Sequence, residues 1–184
     1  MTLPRQTPAL EIPVPRLETA RLVLRGPEGR DFDAVTEFMM DAGRTRYIGG
    51  PVASVFDAWG GFCRVIGHWM WNGFGFWTLE DKASGQAVGR VGLLNHAGWP
   101  EPELGWHMFA AGEGRGLAHE AALTIRNFAA RDLGLNRLIS PIHPDNTRSR
   151  ALAERLGAAV EKETVLLGDP CLIYRHPSVF EEAQ

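Results

Sequence analysis

Residues Gly112 to Ala121 read GEGRGLAHEA, three alternating glycines set directly before an Ala-rich run. A strand, a glycine turn and a helix start in succession leave several backbone N–H groups unpaired, because the first helical turn has no acceptors of its own. The helix end adds partial positive charge. Glycine lets the turn reach positive φ and lets a ligand approach the backbone closely. Together these features suit phosphate or pyrophosphate. Three kinds of phosphate binder use such a loop. A Walker loop needs Lys and Ser or Thr beside its last glycine, yet Leu117 stands five positions after Gly112. The dinucleotide pattern GxGxxG fails at the same Leu117, and the loop lies far from an opening βαβ unit. A coenzyme A pyrophosphate is the third possibility; a plain helix-entry turn is the bland one.

The elements around the loop follow from periodicity. ARLVLRGP alternates as a strand, and Phe32, Val35, Phe38 and Met39 mark a first helix. SVFDAWGGFCRVIGHWMWNG is a second helix, where Gly60 and Gly61 invite a bend. FGFWTLED and GQAVGRVGLLNH form a hairpin around DKASG, and ELGWHMF is the strand before the glycine loop. LAHEAALTIRNFAARDLG repeats apolar residues at helical spacing and stops at Gly134. NRLISPIH is a strand, NTRSRALAERLG a helix capped by Asn146 or Thr147, and AAVEKETVLLG and CLIYRH two closing strands. The order β-α-α-β-β-β-α-β-α-β-β predicts an α/β (α+β) fold. It has a mixed, mostly antiparallel sheet of about seven strands with about four helices, in one domain over residues 1–184 with an extended arm at 1–15.

Composition narrows the classes. The chain is 45% hydrophobic and 22% charged with a net charge of −3, which argues against a general nucleic-acid or membrane-surface binder. Two cysteines, Cys63 and Cys171, make no disulfide framework, and neither they nor the six histidines show metal-ligand spacing. The proline-punctuated N-terminus has no apolar segment of signal type, so a cytoplasmic protein without a metal is expected.

ELGWHMFAAGEGRGLAHEA resembles the strand-loop-helix of the GNAT superfamily of N-acetyltransferases. It is similar above all to the RimJ/RimL-type branch, whose pattern reads roughly ELGYWLxPxxWGKGYATEA, without a gap over nineteen positions. LETARLVLRGP resembles that branch's first strand, HPDNTRSRALAERLGA its Asn-x-x-Ser helix entry, and Tyr47-Ile48-Gly49-Gly50 its loop between the first helices. The resemblance spans roughly residues 17 to 176 and implies a fold of acyl-CoA N-acyltransferase type. It implies that Gly114, Arg115, Gly116, Leu117 and Ala118 hold the pyrophosphate of acetyl-CoA, with an added charge from Arg115. Met108 and Phe109 would offer backbone groups to the pantetheine, and Asn146 would contact the cofactor. One departure is Glu113, an acid where the branch often has an aromatic; it must point to solvent or weaken binding.

The implied reaction is direct attack of a primary amine, on a protein N-terminus or a small molecule, upon the thioester, with no covalent enzyme intermediate. Positioning does most of that work. By the same resemblance, Ser149 occupies the position to which the branch assigns the general acid for the leaving thiolate, with Tyr174 as a weaker candidate and helix capping as the bland role. For the base, Glu103, Gly105, His107 and Phe109 share one strand face, so Glu103 and His107 are both candidates. The expected partners are acetyl-CoA and an amine, with the protein a monomer or homodimer. A non-catalytic acyl-CoA sensor of the same fold is the alternative.

Overall fold

The computed structural model describes residues 13–180; most of the extended arm expected at 1–15 lies outside the described residues. The strands are β1 (Leu17–Glu18), β2 (Leu22–Arg25), β3 (Phe76–Asp81), β4 (Ala87–Leu94), β5 (Glu103–Met108), β6 (Ile139–Ile142), β7 (Ala159–Leu166) and β8 (Asp169–Arg175). The helices are α1 (Phe32–Met40), α2 (Ala42–Thr45), α3 (Val55–Asn72), α4 (Leu117–Asp132) and α5 (Thr147–Arg155). All eight strands form one sheet in the order β1-β2-β3-β4-β5-β6-β8-β7. The mixed α/β architecture matches expectation. The additions, β1 and α2, have two and four residues and are too short to leave a periodic signal.

Each face of the sheet buries a different core. Leu22, Leu24, Trp77, Leu79, Val91, Leu93 and Leu104 pack against Leu117, Ala121, Ala122 and Ile125 of α4. On the other face Phe32, Val35 and Phe38 of α1 join Ala58 and Phe62 of α3 and Phe109. Helix α3 runs unbroken through Gly60 and Gly61. Gly61 serves instead as a contact point: a Cβ there would stand 2.4 Å from the Met39 methyl, so the glycine lets α1 and α3 close up. Two indoles are buried with their N–H groups satisfied, Trp77 by the Pro15 carbonyl at 2.7 Å and Trp69 by the Phe76 carbonyl at 2.9 Å.

One junction of the sheet is incomplete. β4 and β5 pair over six residues, whereas β5 and β6, joined by the α4 crossover and therefore parallel, pair only at Glu103 and Ile139. Beyond that point the Ser140 hydroxyl donates to the Leu104 carbonyl at 2.6 Å. The same hydroxyl meets His176 Nε2 at 2.9 Å and accepts from it, since its own proton is already committed. Burial pushes the His176 imidazole down to about 4, so it is neutral there. Past this wedge the two strands part. No described helix is long and apolar enough to cross a membrane.

Candidate active site

The glycine loop builds the first half of the site. Gly114 and Gly116 take φ of +72° and +74°, the left-handed region, and Gly116 is the N-cap of α4. Among the described residues the six N–H groups from Gly114 to His119 have no acceptor, and the first paired one, of Glu120, bonds the Gly116 carbonyl. Arg21 braces the loop from outside, bonding the Arg115 carbonyl at 2.8 Å and Glu120 at 2.7 Å.

Apart from Arg115, the residues that carry these N–H groups line a cavity of about 580 Å³ between β5 and α5. Met108, Gly114, Gly116, Leu117, Ala118 and Asn146, to which the resemblance assigns the cofactor, all line it together with Ser149. Phe109 and Arg115 do not line it. The Phe109 N–H donates to Val88, its carbonyl accepts from Gly112, and its ring lies in the α1–α3 core. Neighbouring residues of a strand turn their backbone groups to opposite sides. With Phe109 paired inward to β4, Met108 and Trp106 turn theirs to the side where β6 has parted. The Arg115 guanidinium binds Asp81 at 2.8 Å, so its charge is spent on β3 and only its N–H serves the loop.

Glu113 does not point to solvent. Its carboxylate bridges two arginines at the cavity mouth, Arg44 of α2 at 3.2 Å and Arg148 of α5 at 3.2 Å. Arg44 is also held by Asp41, which caps α2. Deeper in, the Asn146 side chain caps α5 by accepting from the Ser149 N–H at 3.2 Å. The Ser149 hydroxyl is not used in capping. It accepts from the Trp106 indole at 3.2 Å, which leaves its own proton free to donate. Tyr174 is engaged elsewhere, accepting from Arg150 and donating to Glu154.

A second cavity of about 730 Å³ opens over the Glu103–His107 face of β5. The two cavities share Phe38, Tyr47, Ile48 and His107 in their walls. Glu103 lies deep in the second. Desolvation lifts its carboxyl to about 7, opposed by the Trp99 indole, which donates to Oε2 at 2.6 Å. Its Oε1 leans over Gly105, where a Cβ would stand 3.0 Å away. His107 is stacked on Phe38 at 5.1 Å and tilted against Phe76 at 5.0 Å. Its Nδ1 accepts from Arg90 Nε at 2.9 Å. Since that guanidinium N–H can only donate, the neutral ring carries its proton on Nε2. Burial, and then the Arg90 charge, hold the imidazole well below its ordinary value. His107 therefore presents a donor to the cavities rather than a base.

Periodicity missed Arg90, Trp99, Trp106, Arg44, Arg148 and Ser140, because each acts through a partner distant in sequence. One signal was present for Arg90: an arginine inside GRVG, between glycines that permit close strand packing. Among the described residues no group of three or more His, Cys, Asp or Glu side chains could hold a metal ion.

A parted mixed sheet, a row of bare N–H groups beside it and a second cavity on the same strand leave room for two substrates to meet. Residues 21–159 match the model of the acetyltransferase (GNAT) domain, and the chain belongs to that family, whose members use acetyl-CoA as co-substrate. An acetyltransferase structure from Agrobacterium tumefaciens is 34% identical, covers 95% of this chain and 100% of its own, and superposes with a TM-score of 0.82. The uncharacterized N-acetyltransferase YnaD of Bacillus subtilis is 27% identical over 142 residues, 77% of this chain and 81% of that protein. The ribosomal-protein-S5-alanine acetyltransferase of Vibrio fischeri shares the fold at a TM-score of 0.69 and 15% identity, over 90% of this chain and 98% of its own.

Proposed function

We propose that the protein is an acetyl-CoA-dependent N-acetyltransferase that passes the acetyl group directly to a primary amine in a ternary complex. The observation that carries this reading is the meeting of the two cavities at His107, Phe38, Tyr47 and Ile48. One substrate reaches the junction from the N–H cradle and the other from the Glu103 side, so the reacting atoms come together without a covalent intermediate. The ungapped resemblance of strand, loop and helix over nineteen positions supports the RimJ/RimL-type branch, with the whole chain as one catalytic unit.

The N–H groups from Gly114 to His119 receive the pyrophosphate, with Arg44 and Arg148 supplying positive charge at the mouth. The backbone of Trp106 and Met108 pairs with the pantetheine arm, and Asn146 keeps α5 in register beside it. Ser149, polarised by the Trp106 indole, donates its proton to the departing thiolate. Glu103, poised near neutrality and leaning over Gly105, takes the amine proton directly or through one water. The His107 Nε2–H is a donor beside the junction, suited to charge that develops on the thioester oxygen.

Isothermal titration with acetyl-CoA, followed by free-thiol detection against a panel of amines and peptide N-termini, tests this reading. Absence of binding at millimolar acetyl-CoA refutes it. Binding without turnover of any acceptor identifies a sensor domain instead.

A further inference from the structure

The second cavity contains a cation that no carboxylate among the described residues neutralises. Arg90 projects from the middle of β4, opposite His107, and is only 9% exposed. Its Nε is committed to His107 Nδ1, and its guanidinium lies over the Phe76 and Phe38 rings, at 5.4 and 5.9 Å from their centroids. Among the described residues no carboxylate and no carbonyl pairs with its two terminal amino groups, although the side chain lines the cavity. The contrast with the other buried arginine of this sheet face is direct. Arg25, on β2, is saturated by Asp31 through two bonds of 2.8 Å and by Glu80 at 2.8 Å.

A buried guanidinium without an anion is unfavourable, and proteins rarely keep one that has no partner to meet. The rings soften its desolvation but accept no hydrogen bond in the plane of the fork. That planar fork, with both terminal nitrogens open, matches the two oxygens of a carboxylate. The other charged groups facing the cavity are distributed to suit. Arg64 stands exposed on the α3 side with no ion pair among the described residues, Asp169 is exposed at the β7–β8 turn, and Glu103 is the third charged group. Glu103 stands four residues along β5 from the partner of Arg90, so an acid site and a cation site flank the junction from one face.

On the reading given above, we infer that the acceptor is a small amine that also carries a carboxylate, an amino-acid-like molecule whose anionic end pairs with the terminal nitrogens of Arg90 while its amine lies over Gly105 beside Glu103. Arg90 is then the residue that sets substrate class, and its bond to His107 ties recognition of the acid to the donor at the junction.

The test compares amino acids and longer aminoalkanoic acids with their own primary amides, by thiol release with acetyl-CoA. The acids should exceed their amides in kcat/KM by on the order of a hundredfold, as expected when one partner of a buried charge pair is deleted. In Arg90→Gln that ratio should collapse toward one while acetyl-CoA affinity is kept; Arg90→Lys, with a point charge, should restore part of it. Equal turnover of acids and amides by the unaltered enzyme overturns the inference, as does an Arg90→Gln enzyme that loses activity equally on both. Calorimetry of the same pairs on the protein saturated with coenzyme A tests the site without turnover. Preference for the acid supports the inference even if no amine is acetylated, an outcome that would refute the proposed reaction alone. Equal or absent binding of acid and amide there overturns the inference.

Discussion

Replacing Trp99 by Phe should move the pH dependence of acetyl transfer without touching either substrate's main contacts. Glu103 is lifted to about 7 by desolvation, and the Trp99 indole N–H, 2.6 Å from Oε2, opposes that rise. A base must be ionised to act, so kcat/KM in the unaltered enzyme should climb through about pH 7. One unit below that midpoint it should stand at roughly a tenth of the plateau. A hydrogen bond to a charged acceptor is worth about 1.5–3 kcal/mol. Water from the cavity replaces part of it, leaving a net loss near 1.4 kcal/mol, or about one pKa unit. The midpoint in Trp99→Phe then lies near pH 8. Activity at pH 7 falls from about half the plateau to about a tenth, and recovers two units higher. The measurement is the full pH–rate profile of both enzymes by thiol release at saturating acetyl-CoA. Glu103→Gln should lose the limb altogether. It should also be more heat-resistant than the unaltered protein above pH 7, with the difference vanishing near pH 4.5. The fold raises this carboxyl, so it favours the protonated form, and ionisation costs stability that is fully felt only above the folded value. A limb that stays in place in Trp99→Phe, or survives in Glu103→Gln, would remove Glu103 from the base role.

Ser149→Ala should lower kcat by about a hundredfold and leave acetyl-CoA affinity nearly unchanged, because Asn146 caps α5 through the backbone N–H rather than the hydroxyl; titration and turnover assays separate the two. Glu113→Gln should tighten acetyl-CoA about two- to fivefold at low salt. The carboxylate competes with phosphate for Arg44 and Arg148 through partly exposed ion pairs worth about 0.2–1 kcal/mol each, and the gain should shrink as salt rises in the titration. Gly112→Ala should destabilise the protein by about 1–3 kcal/mol in denaturant unfolding, since its Cβ would fall 2.1 Å from the Val88 carbonyl oxygen and push the loop off β4.

Local rules made much of this molecule legible. The glycines at 114 and 116 announce a turn at positive φ, and the Ala-rich run after them announces α4, because both signals depend on a residue and its near neighbours. Asn146 caps α5 by reaching three residues forward, again within local range. Alternation in ELGWHMF correctly put Glu103 and His107 on one face, where both line the second cavity. The same alternation, applied to the backbone, separates Met108 from Phe109; treating the two as equivalent ignored that adjacent residues of a strand turn opposite ways.

The chemistry of each site residue was out of reach of periodicity. Whether an imidazole is a base or a donor depends on which atom touches its second nitrogen, and Arg90 arrives at His107 only through the β4–β5 register. Glu103 takes its character from burial and from an indole in a loop. Glu113 meets arginines 69 residues before it in the chain and on a helix after it, which no window along the sequence could pair. The sequence by itself determined the longer elements, the glycine turn before α4 and the family, since dihedral preference and hydrophobic period act over a few residues. Tertiary structure alone decided protonation, charge pairing and the second cavity, because electric fields and desolvation depend on distance through space.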